Sequence, residues 1–242
     1  MIEKLKLIYE REKFNPKLIG LIFNADFFER RSLFKRLGKL CPSLSGKLLD
    51  IGCGSMPYKE LFSKTSEYIG VDLISSNNKM ADVLYDGKTI PFDEKVFDSI
   101  FSTQVLMYVS DADSFLKEVN RITKTGGKFL ISTPFMWHAR NPDDCVRFSI
   151  NGLSKLLISN GFEIINQKRS SNAIETLFQL TVLYFYNQYF IKNKILRKLS
   201  TLIFTIPLNL TGFILSYIFP TNRNFYLNTI ILARKVNHIA KK

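Results

Sequence analysis

The sequence has few residues of the kinds that build disulfide frameworks and zinc sites. Its 242 residues include three cysteines and two histidines, and the cysteines, Cys41, Cys53 and Cys145, are scattered along the chain. A disulfide framework needs paired cysteines, and a structural zinc site needs closely spaced Cys and His ligands. The sequence therefore predicts neither kind of site, and it fits a reducing cytoplasm.

Linkers and export signals are also missing. No internal repeat and no Gly/Ser-rich or Pro-rich stretch divides the chain, and charged residues interrupt the N-terminal segment every few positions. A secretory signal would need a continuous apolar run there. We therefore expect one cytoplasmic domain with additions.

Negative charge is scarce at both ends of the chain. Residues 1–47 contain 11 Lys and Arg against 5 Asp and Glu, residues 48–170 contain 14 against 15, and residues 171–242 contain 9 against 1. The formal net charge is +13. Basic flanks suit either a polyanion or the anionic face of a membrane, and charge alone does not choose between them.

From Lys47 onward, short apolar segments alternate with amphipathic ones, which indicates a mostly parallel sheet covered by helices. Strands are predicted at 47–51, 68–72, 80–84, 97–102, 127–133, 162–169 and 226–234. Helices are predicted at 2–14, 24–40, 57–63, 110–125 and 149–160, the last two closed by Gly126-Gly127 and by Asn160-Gly161.

One apolar strand runs into a turn that contains two glycines, in Leu48-Leu49-Asp50-Ile51-Gly52-Cys53-Gly54. Glycine permits a positive φ and lets a ligand lie against the backbone. The acid that ends this strand, Asp50, would repel a pyrophosphate but can accept a hydrogen bond from an ammonium group. Asp72 closes the next strand about 20 residues later, where a carboxylate reaches ribose hydroxyls in Rossmann-like folds. The pair predicts a ligand with an amino-acid tail and a nucleoside; the alternative is an ordinary turn with a solvated aspartate.

Residues 47–170 and 226–235 resemble the class I S-adenosylmethionine-dependent methyltransferases. The similar stretches are 50–55, 68–73, 86–92 and 97–106. The resemblance implies an α/β, Rossmann-like sheet of seven mostly parallel strands with helices on both faces. It also implies methyltransferase activity with S-adenosyl-L-methionine as the cofactor. Met56 departs from the family pattern near the usual third glycine, and Tyr108 stands where many relatives place a histidine.

The family pattern assigns each matching residue to a part of the donor. Asp50 and the turn residues would face the methionyl part, the segment at Asp72 the ribose, the segment at Asp86 the adenine, and Gln104 the sulfonium side. The predicted cofactor-binding residues are Asp50, Gly52, Cys53, Gly54, Asp72, Leu73, Asp86, Gly87 and Gln104. Two simpler interpretations stay open: Asp86 caps a turn before Pro91, and Gln104 is a polar strand-end residue.

The loop at 133–149 follows the fifth strand, at the sheet edge where such folds bind ligands. It resembles a His…Pro-x-Asp-x-x-Arg-Phe-Ser signature of methyltransferases that act in envelope-polysaccharide biosynthesis. We predict His138 as a general base, because an imidazole accepts protons near neutral pH, with Asp144 and Arg147 orienting each other or the histidine. Alternatively, His138 bonds only to the loop backbone, and Asp144 with Arg147 forms a structural ion pair.

Two long segments without charge, Thr176–Ile191 and Leu199–Phe219, separate the last two predicted strands. The basic residues Lys192, Lys194, Arg197 and Lys198 lie between them. The second segment is long enough to cross a membrane, but the last strand must rejoin the same sheet. We therefore predict helices that lie in the membrane interface; a helical cap and a dimer contact are the alternatives.

These features predict four segments: an N-terminal helical extension (1–46), a methyltransferase core (47–170), a hydrophobic helical insertion (171–225), and the last core strand with a basic tail (226–242). The leading functional hypothesis is O-methylation of a lipid-linked or amphipathic acceptor, a glycan hydroxyl, by a peripheral or monotopic protein on the inner face of the cell membrane. Alternatives are a quinone or small-lipid methyltransferase and a non-catalytic donor-binding membrane scaffold. Nucleic acid is not favoured as a partner, because the charge lies beside long apolar segments. Oligomerisation through the insertion stays open.

Overall fold

The computed structural model describes residues 11–139, 142–189, 199, 201–220 and 222–236. The strands are β1 Gly46–Ile51, β2 Thr65–Leu73, β3 Val83–Tyr85, β4 Phe97–Thr103, β5 Thr123–Pro134, β6 Phe162–Arg169 and β7 Asn228–Lys235. The helices are α1 Gly20–Phe23, α2 Phe27–Leu40, α3 Ala112–Ile122, α4 Ile150–Ser159, α5 Ala173–Tyr189 and α6 Ile206–Ile218. Short 3-10 turns span Cys41–Ser43, Lys59–Leu61, Ile74–Ser76 and Leu106–Tyr108, and a π turn spans Thr201–Thr205. Most of the predicted helix at 2–14, and the basic cluster at 192–198, lie outside the described residues.

The seven strands form one sheet in the order β3-β2-β1-β4-β5-β7-β6. The pairs from β3 to β5 are parallel. β7 runs antiparallel to β6, because the Ser170 amide donates to Asn228 O at 3.0 Å and the Val236 amide donates to Gly161 O at 3.1 Å. The predicted α/β, Rossmann-like, mostly parallel sheet is confirmed.

The centre of the sheet is buried on both faces, as expected for parallel strands covered by helices. Residues 48–51 of β1 are all buried, and β4 and β5 contribute Phe97, Ile100 and Phe129 to the same apolar core. Helix α3 buries one face in this core, through Phe115, Leu116, Val119 and Ile122. Asp111 caps the first turn of this helix, because its side chain accepts a hydrogen bond from the Ser114 amide at 3.0 Å.

Two local predictions are wrong. The segment 57–63 forms only the 3-10 turn Lys59–Leu61. Gly126-Gly127 does not close helix α3, which ends at Ile122, where extended backbone at Thr123 begins β5. Gly126 has a φ of +77° inside the strand, next to a shift in the β4–β5 register. The conformational freedom of this glycine therefore permits an irregularity in the strand and not the end of a helix. At the end of α4, Gly161 has a φ of +83°, as predicted for a stop signal.

Contacts divide the chain into two compact units. The first unit comprises Met1–Arg36, Met136–His138 and Arg169–Asn228. The second comprises Leu37–Phe135, Ala139–Lys168 and Thr229–Lys242, and it contains most of the sheet.

Within the first unit, a buried glutamine caps helix α2. Gln179 Oε1 accepts from the amides of Phe28 at 3.0 Å and Glu29 at 3.1 Å, and Gln179 Nε2 donates to Ala25 O at 2.6 Å. The first amides of a helix have no partner inside the helix, so this side chain supplies the missing acceptor from about 150 residues away along the chain. The N-terminal segment is thereby bonded to α5.

In the part of the chain that the structure describes, one helical stretch, Thr201–Ile218, is long and apolar enough to cross a membrane. It has 18 residues and a mean hydropathy of 1.6, and 17% of it is buried. Length and composition alone carry little weight, because core helices of soluble proteins meet the same criterion.

Candidate active site

The second unit contains a cavity of about 380 Å³ at the carboxyl ends of its central strands. Cavities of a few hundred Å³ are typical of small-molecule sites, and this sheet edge is where such folds bind ligands. The lining residues are Gly52, Asp72, Leu73, Tyr85, Asp86, Gly87, Thr103, Gln104, Val105, Tyr108, Val109 and Ser110. Six of the nine residues predicted to bind the cofactor are among them.

The turn after β1 depends on its glycines for different reasons. Gly52 has a φ of +72°, and a Cβ there would lie 2.2 Å from Val105 Cγ2, so both conformation and space require glycine. Gly54 has a φ of +52°, but a Cβ there would meet nothing within 4 Å. The backbone at Gly54 therefore faces open space. Met56, near the place of the usual third glycine, also adopts a positive φ of 53°.

Asp50 is buried beneath this turn, with 2% of its surface exposed. Burial raises the pKa of its carboxyl from 3.8 to about 7, opposed by a hydrogen bond from the Tyr68 hydroxyl to Oδ2 and reinforced by the charge of Asp72. Its other oxygen, Oδ1, is buried with no hydrogen-bond partner in the described structure. A buried carboxylate oxygen in this state favours a ligand that brings a donor, such as an ammonium group.

Asp72, the second-last residue of β2, has a partner that the sequence did not reveal. Asn78 Nδ2 donates to Asp72 Oδ2 at 2.8 Å and to Gly54 O at 2.7 Å, while Asp72 Oδ1 accepts from the Leu73 amide at 2.9 Å. Asn78 therefore joins the glycine turn to the carboxylate predicted to hold the ribose. Its only sequence signal is the neighbouring asparagine pair 77–78, which is typical of turns in general.

Asp86 lines the cavity and also caps a turn, so the two interpretations of its sequence are compatible. Its Oδ1 accepts from the amides of Lys88 at 2.8 Å and Thr89 at 3.2 Å, and these bonds hold the pKa of the carboxyl below its usual range. Gly87 has a φ of +86°, and a Cβ there would lie 3.0 Å from Leu73 Cδ2. Leu73, 40% exposed, gives the cavity an apolar face beside these polar groups.

Gln104 follows β4 with a φ of +60°, in the left-handed region that non-glycine residues seldom adopt. Its backbone amide donates to Ser132 O at 2.9 Å, and its side-chain amide donates to Ser132 Oγ at 3.4 Å. Strained backbone of this kind is concentrated at functional sites. Cys53, in the glycine turn, is buried, and burial raises the pKa of its thiol to about 12, so it remains a protonated thiol near neutral pH.

The loop after β5 contains a close ion pair. Arg147 Nη2 donates to Asp144 Oδ2 at 2.6 Å, and Nη1 donates to Oδ1 of the same carboxylate. The Asp144 side chain is 1% exposed. The Cys145 amide donates to Met107 O at 2.8 Å, which attaches this loop to the 3-10 turn whose Tyr108 lines the cavity. This geometry favours a structural role for the ion pair.

His138 belongs to the first unit, whereas the cavity lies in the second. It is half-buried, and its ring centroid lies 5.3 Å from that of Trp137. Its role as a base stays a prediction from the sequence.

The cavity fits S-adenosylmethionine by its chemistry. The carboxylate of Asp72 suits ribose hydroxyls, and Leu73 with Gly87 provides an apolar contact for adenine. Asp50 does not line the cavity, but its buried Oδ1, two residues before Gly52, has no donor and suits an ammonium group. Gly52 lines the cavity, and the backbone at Gly54 faces open space.

Residues 49–131 match the family model described as a methyltransferase domain. Sterol 4-C-methyltransferase strm-1 of Caenorhabditis elegans is 28% identical over 127 residues, which cover 43% of this chain and 38% of that protein. The ubiquinone biosynthesis O-methyltransferase of Pelagibacter ubique (strain HTCC1062) is 29% identical over 99 residues, covering 36% and 41%. The chain thus spans about two fifths of the length of these curated relatives.

Solved structures share the fold at low sequence identity. The [4+2]-cyclase SpnF superposes with a TM-score of 0.57 at 18% identity, covering 87% of this chain and 83% of that chain. A geranyl diphosphate methyltransferase in complex with SAM gives 0.54 at 14% identity, covering 88% of each chain. A cyclase and a methyltransferase thus share this architecture, so the structural similarity shows the fold alone. The prediction of methyltransferase activity rests on the matched domain and on the cavity. The match of residues 49–131 to a methyltransferase domain supports the predicted methyltransferase core and its S-adenosylmethionine cofactor.

Proposed function

We propose that the protein transfers a methyl group from S-adenosylmethionine to an oxygen of a lipid-linked or otherwise amphipathic acceptor, a glycan hydroxyl, at the cytoplasmic face of the cell membrane. The observation that carries the proposal is the occurrence, in one chain, of a donor cavity and of an apolar helix, Thr201–Ile218, that is mostly exposed. Methyl transfer to a water-soluble acceptor would need no such helix.

The donor side follows from the cavity. When bound, S-adenosylmethionine supplies a methyl group on a positively charged sulfur. Asp50 would hold the ammonium group through Oδ1, Asp72 would hold the ribose hydroxyls, and Leu73 with Gly87 would contact the adenine. These residues orient the donor, and orientation of the reacting atoms accounts for much of the rate of such a reaction.

The acceptor side needs a route for one proton. As a hydroxyl oxygen forms its bond to the methyl carbon, the sulfur–carbon bond breaks and the hydroxyl proton passes to a base. We assign this role to His138, because an imidazole accepts a proton near neutral pH. We assign Asp144 with Arg147 to holding the loop in place, because both carboxylate oxygens already accept from the guanidinium group.

A quinone or another small lipid is the second candidate acceptor. The resemblance to a ubiquinone biosynthesis O-methyltransferase and to a sterol 4-C-methyltransferase favours it, since both names describe lipid acceptors. It shares the donor cavity and the apolar helix with the leading proposal. A donor-binding scaffold without catalysis is the third candidate.

The decisive test has two steps. Calorimetric titration with S-adenosylmethionine should show saturable binding that Asp72→Ala weakens strongly, with Glu163→Ala, on the exposed side of β6, as the unaffected control. Membrane lipid extracts are then incubated with protein and donor carrying a labelled methyl group, and labelled products are identified by mass spectrometry. A methylated polyprenyl-linked glycan supports the proposal, a methylated quinone selects the second candidate, and donor binding without any product selects the scaffold.

A further inference from the structure

Helix α6 and the π turn before it bury polar residues and expose large apolar ones. Thr205, Asn209 and Gly212 are buried, whereas large apolar or aromatic residues are 42–69% exposed: Leu202, Ile203, Leu210, Ile214, Tyr217 and Ile218. Thr211 is a polar residue exposed among them. A surface helix of a soluble protein has the opposite arrangement, with polar residues outward. The outward face of this helix is therefore suited to an apolar environment.

Contacts inside the first unit fix this orientation. Asn209 Nδ2 donates to Leu21 O and to Asn24 O, both at 3.1 Å, so the one amide of α6 satisfies carbonyls at the end of α1. A Cβ on Gly212 would lie 2.5 Å from Phe178 Cγ, which shows how closely α6 approaches α5. Rotating the helix would break these bonds and this close packing, so the apolar face cannot simply turn inward.

The segment that precedes and includes α1 packs beside α6 and also exposes apolar side chains. Leu18, Ile19 and Ile22 are 60%, 49% and 51% exposed, and α1 contacts both α6 and the turn Thr201–Thr205. We call the exposed apolar side chains of residues 18–23 and 202–219 the outer apolar surface. It is built from two segments about 180 residues apart in the chain, so neither amphipathic pattern reveals it alone.

Within the described residues of the first unit, every exposed charged side chain is basic. Among its described residues, the acids Glu12 and Glu29 are buried and Asp26 and Glu175 are half-buried. The exposed charged side chains are all basic: Arg11, Lys13, Lys17 and Lys35. Lys17 directly precedes the outer apolar surface. Exposed cations beside exposed apolar side chains complement anionic lipid headgroups over an acyl layer.

A single membrane crossing does not fit the chain topology. The stretch Thr201–Ile218 would span about 27 Å as an α-helix. However, β7 follows it and enters the sheet between β5 and β6, both of which precede it, so the chain before and after the helix stays on one side. Asn209 would also carry its amide into the hydrocarbon centre.

We propose that the outer apolar surface binds an anionic lipid bilayer in the plane of its interface, with residues 18–23 and 202–219 inserted together. This deepens the membrane location in the proposed function and rests on it, but the binding itself requires no donor and no catalysis. Failure of lipid binding and failure of methyl transfer can therefore be told apart.

The test is co-sedimentation of the full chain with vesicles of phosphatidylcholine, with or without phosphatidylglycerol. We expect binding to vesicles that contain phosphatidylglycerol, weakened by salt. Ile214→Glu and Ile22→Glu should each lower the partition coefficient about tenfold or more, since each removes an inserted isoleucine and adds a charge. Ile158→Glu is the matched control, because Ile158 is 45% exposed on α4 in the second unit. Circular dichroism confirms that each variant is folded.

Three results would overturn the proposal. The first is no binding to either vesicle, especially with a dimer that Ile214→Glu dissociates, since the surface would then contact a second copy. The second is lipid binding that Ile22→Glu leaves unchanged, since α1 would then not insert. The third is a spin label at Ile214→Cys, in a Cys145→Ser background, that reports the bilayer centre rather than a depth of about 5–10 Å.

Discussion

The Tyr68 hydroxyl donates a hydrogen bond to the buried carboxylate of Asp50, on the strand next to it in the sheet. The burial of Asp50 and the hydrogen bond from Tyr68 shift the pKa of this carboxyl in opposite directions. Burial raises the pKa of Asp50 to about 7, and the bond from Tyr68 lowers it. The charge state of the group predicted to hold the ammonium of the donor therefore changes near neutral pH, under the control of a residue outside the glycine motif.

We expect donor affinity to rise with pH through about 7, because only the ionised Asp50 attracts an ammonium group. Below that pH, affinity should fall by up to about tenfold per pH unit, the limit for one proton. Tyr68→Phe removes the bond that favours the carboxylate, so the midpoint should move to higher pH. Asp50→Asn should bind weakly with no such midpoint. Calorimetry from pH 5.5 to 8.5 checks this, and an unchanged midpoint in Tyr68→Phe would refute the coupling.

The same carboxyl should make the ligand-free protein less stable as pH rises. Its pKa is 3.8 in the unfolded reference and about 7 in the folded protein, so between these values the folded state keeps a proton that the unfolded state has lost. The free energy of unfolding should decrease as pH rises through this window, and the loss is complete above about pH 7. Asp50→Asn should lack this decrease. Urea unfolding at pH 5 and pH 8, compared between wild type and variant, measures it.

The two glycines of the turn should respond differently to alanine. Gly52→Ala combines a left-handed φ with a Cβ 2.2 Å from Val105 Cγ2, so both melting temperature and donor affinity should fall. Gly54→Ala has open space around the new methyl and should cost about 1–2 kcal/mol of stability from its φ alone, yet lose donor affinity if the donor occupies that space. Gly38→Ala, in helix α2 with nothing within 4 Å, is the control and should bind the donor normally. Equal donor affinity in Gly54→Ala and wild type would place the donor elsewhere.

Asn78 should act through Asp72. Asn78→Asp keeps the shape but removes the donor to Asp72 Oδ2 and adds a like charge, so donor affinity should fall about tenfold or more. In an Asp72→Ala background the same change should have little further effect, since its partner is gone. Asn77→Gly is a suitable control, because Asn77 has a φ of +48° that glycine adopts freely. Additive losses in the double variant would show that Asn78 acts independently of Asp72.

The fold was the part of this protein that its sequence predicted best, and six of the nine residues predicted to bind the cofactor line one cavity. Asp50, Asp72 and the glycines are recognisable because strand ends and turns are local features, and residues at the ends of neighbouring parallel strands converge on one sheet edge. Tyr68, Asn78 and Gln179 were missed because their partners are set by tertiary contacts. Gly126 was misinterpreted for a related reason: a glycine signals a positive φ, but the sequence does not say whether a helix end or a strand irregularity uses it.

The insertion shows a different limit. Its apolar segments were evident, but the direction in which they face was not. Asn209 is a polar residue inside an apolar helix, and the structure shows its amide donating to the carbonyls of residues 21 and 24. A polar residue in an apolar segment can either interrupt a helix in lipid or satisfy buried groups at a protein contact. Only its hydrogen-bond partner distinguishes the two cases.

The ion pair of Asp144 with Arg147 should affect stability more than chemistry. Asp144→Asn and Arg147→Ala leave a partly buried charge without its partner, so the melting temperature should fall clearly, while kcat at low temperature should change less than tenfold. Arg234→Ala is the matched control, because its pair with Glu163 is about half exposed and should contribute at most about 1 kcal/mol. A loss in kcat of more than a hundredfold, with the melting temperature unchanged, would instead make the pair catalytic.

Gln179 should hold the N-terminal segment against helix α5 within the first unit. Gln179→Leu preserves the approximate volume but leaves the amides of Phe28 and Glu29 and the carbonyl of Ala25 without their partner. Each unsatisfied buried group costs about 1–3 kcal/mol, so the melting temperature should fall by several degrees, and proteolysis within residues 11–40 should accelerate. Gln167→Leu, on the exposed part of β6 with one bond from Ser154, should change neither measurement. If Gln179→Leu melts like wild type and resists proteolysis equally, packing of the surrounding phenylalanines rather than this cap holds the segment, because hydrogen bonds would then contribute too little to be detected.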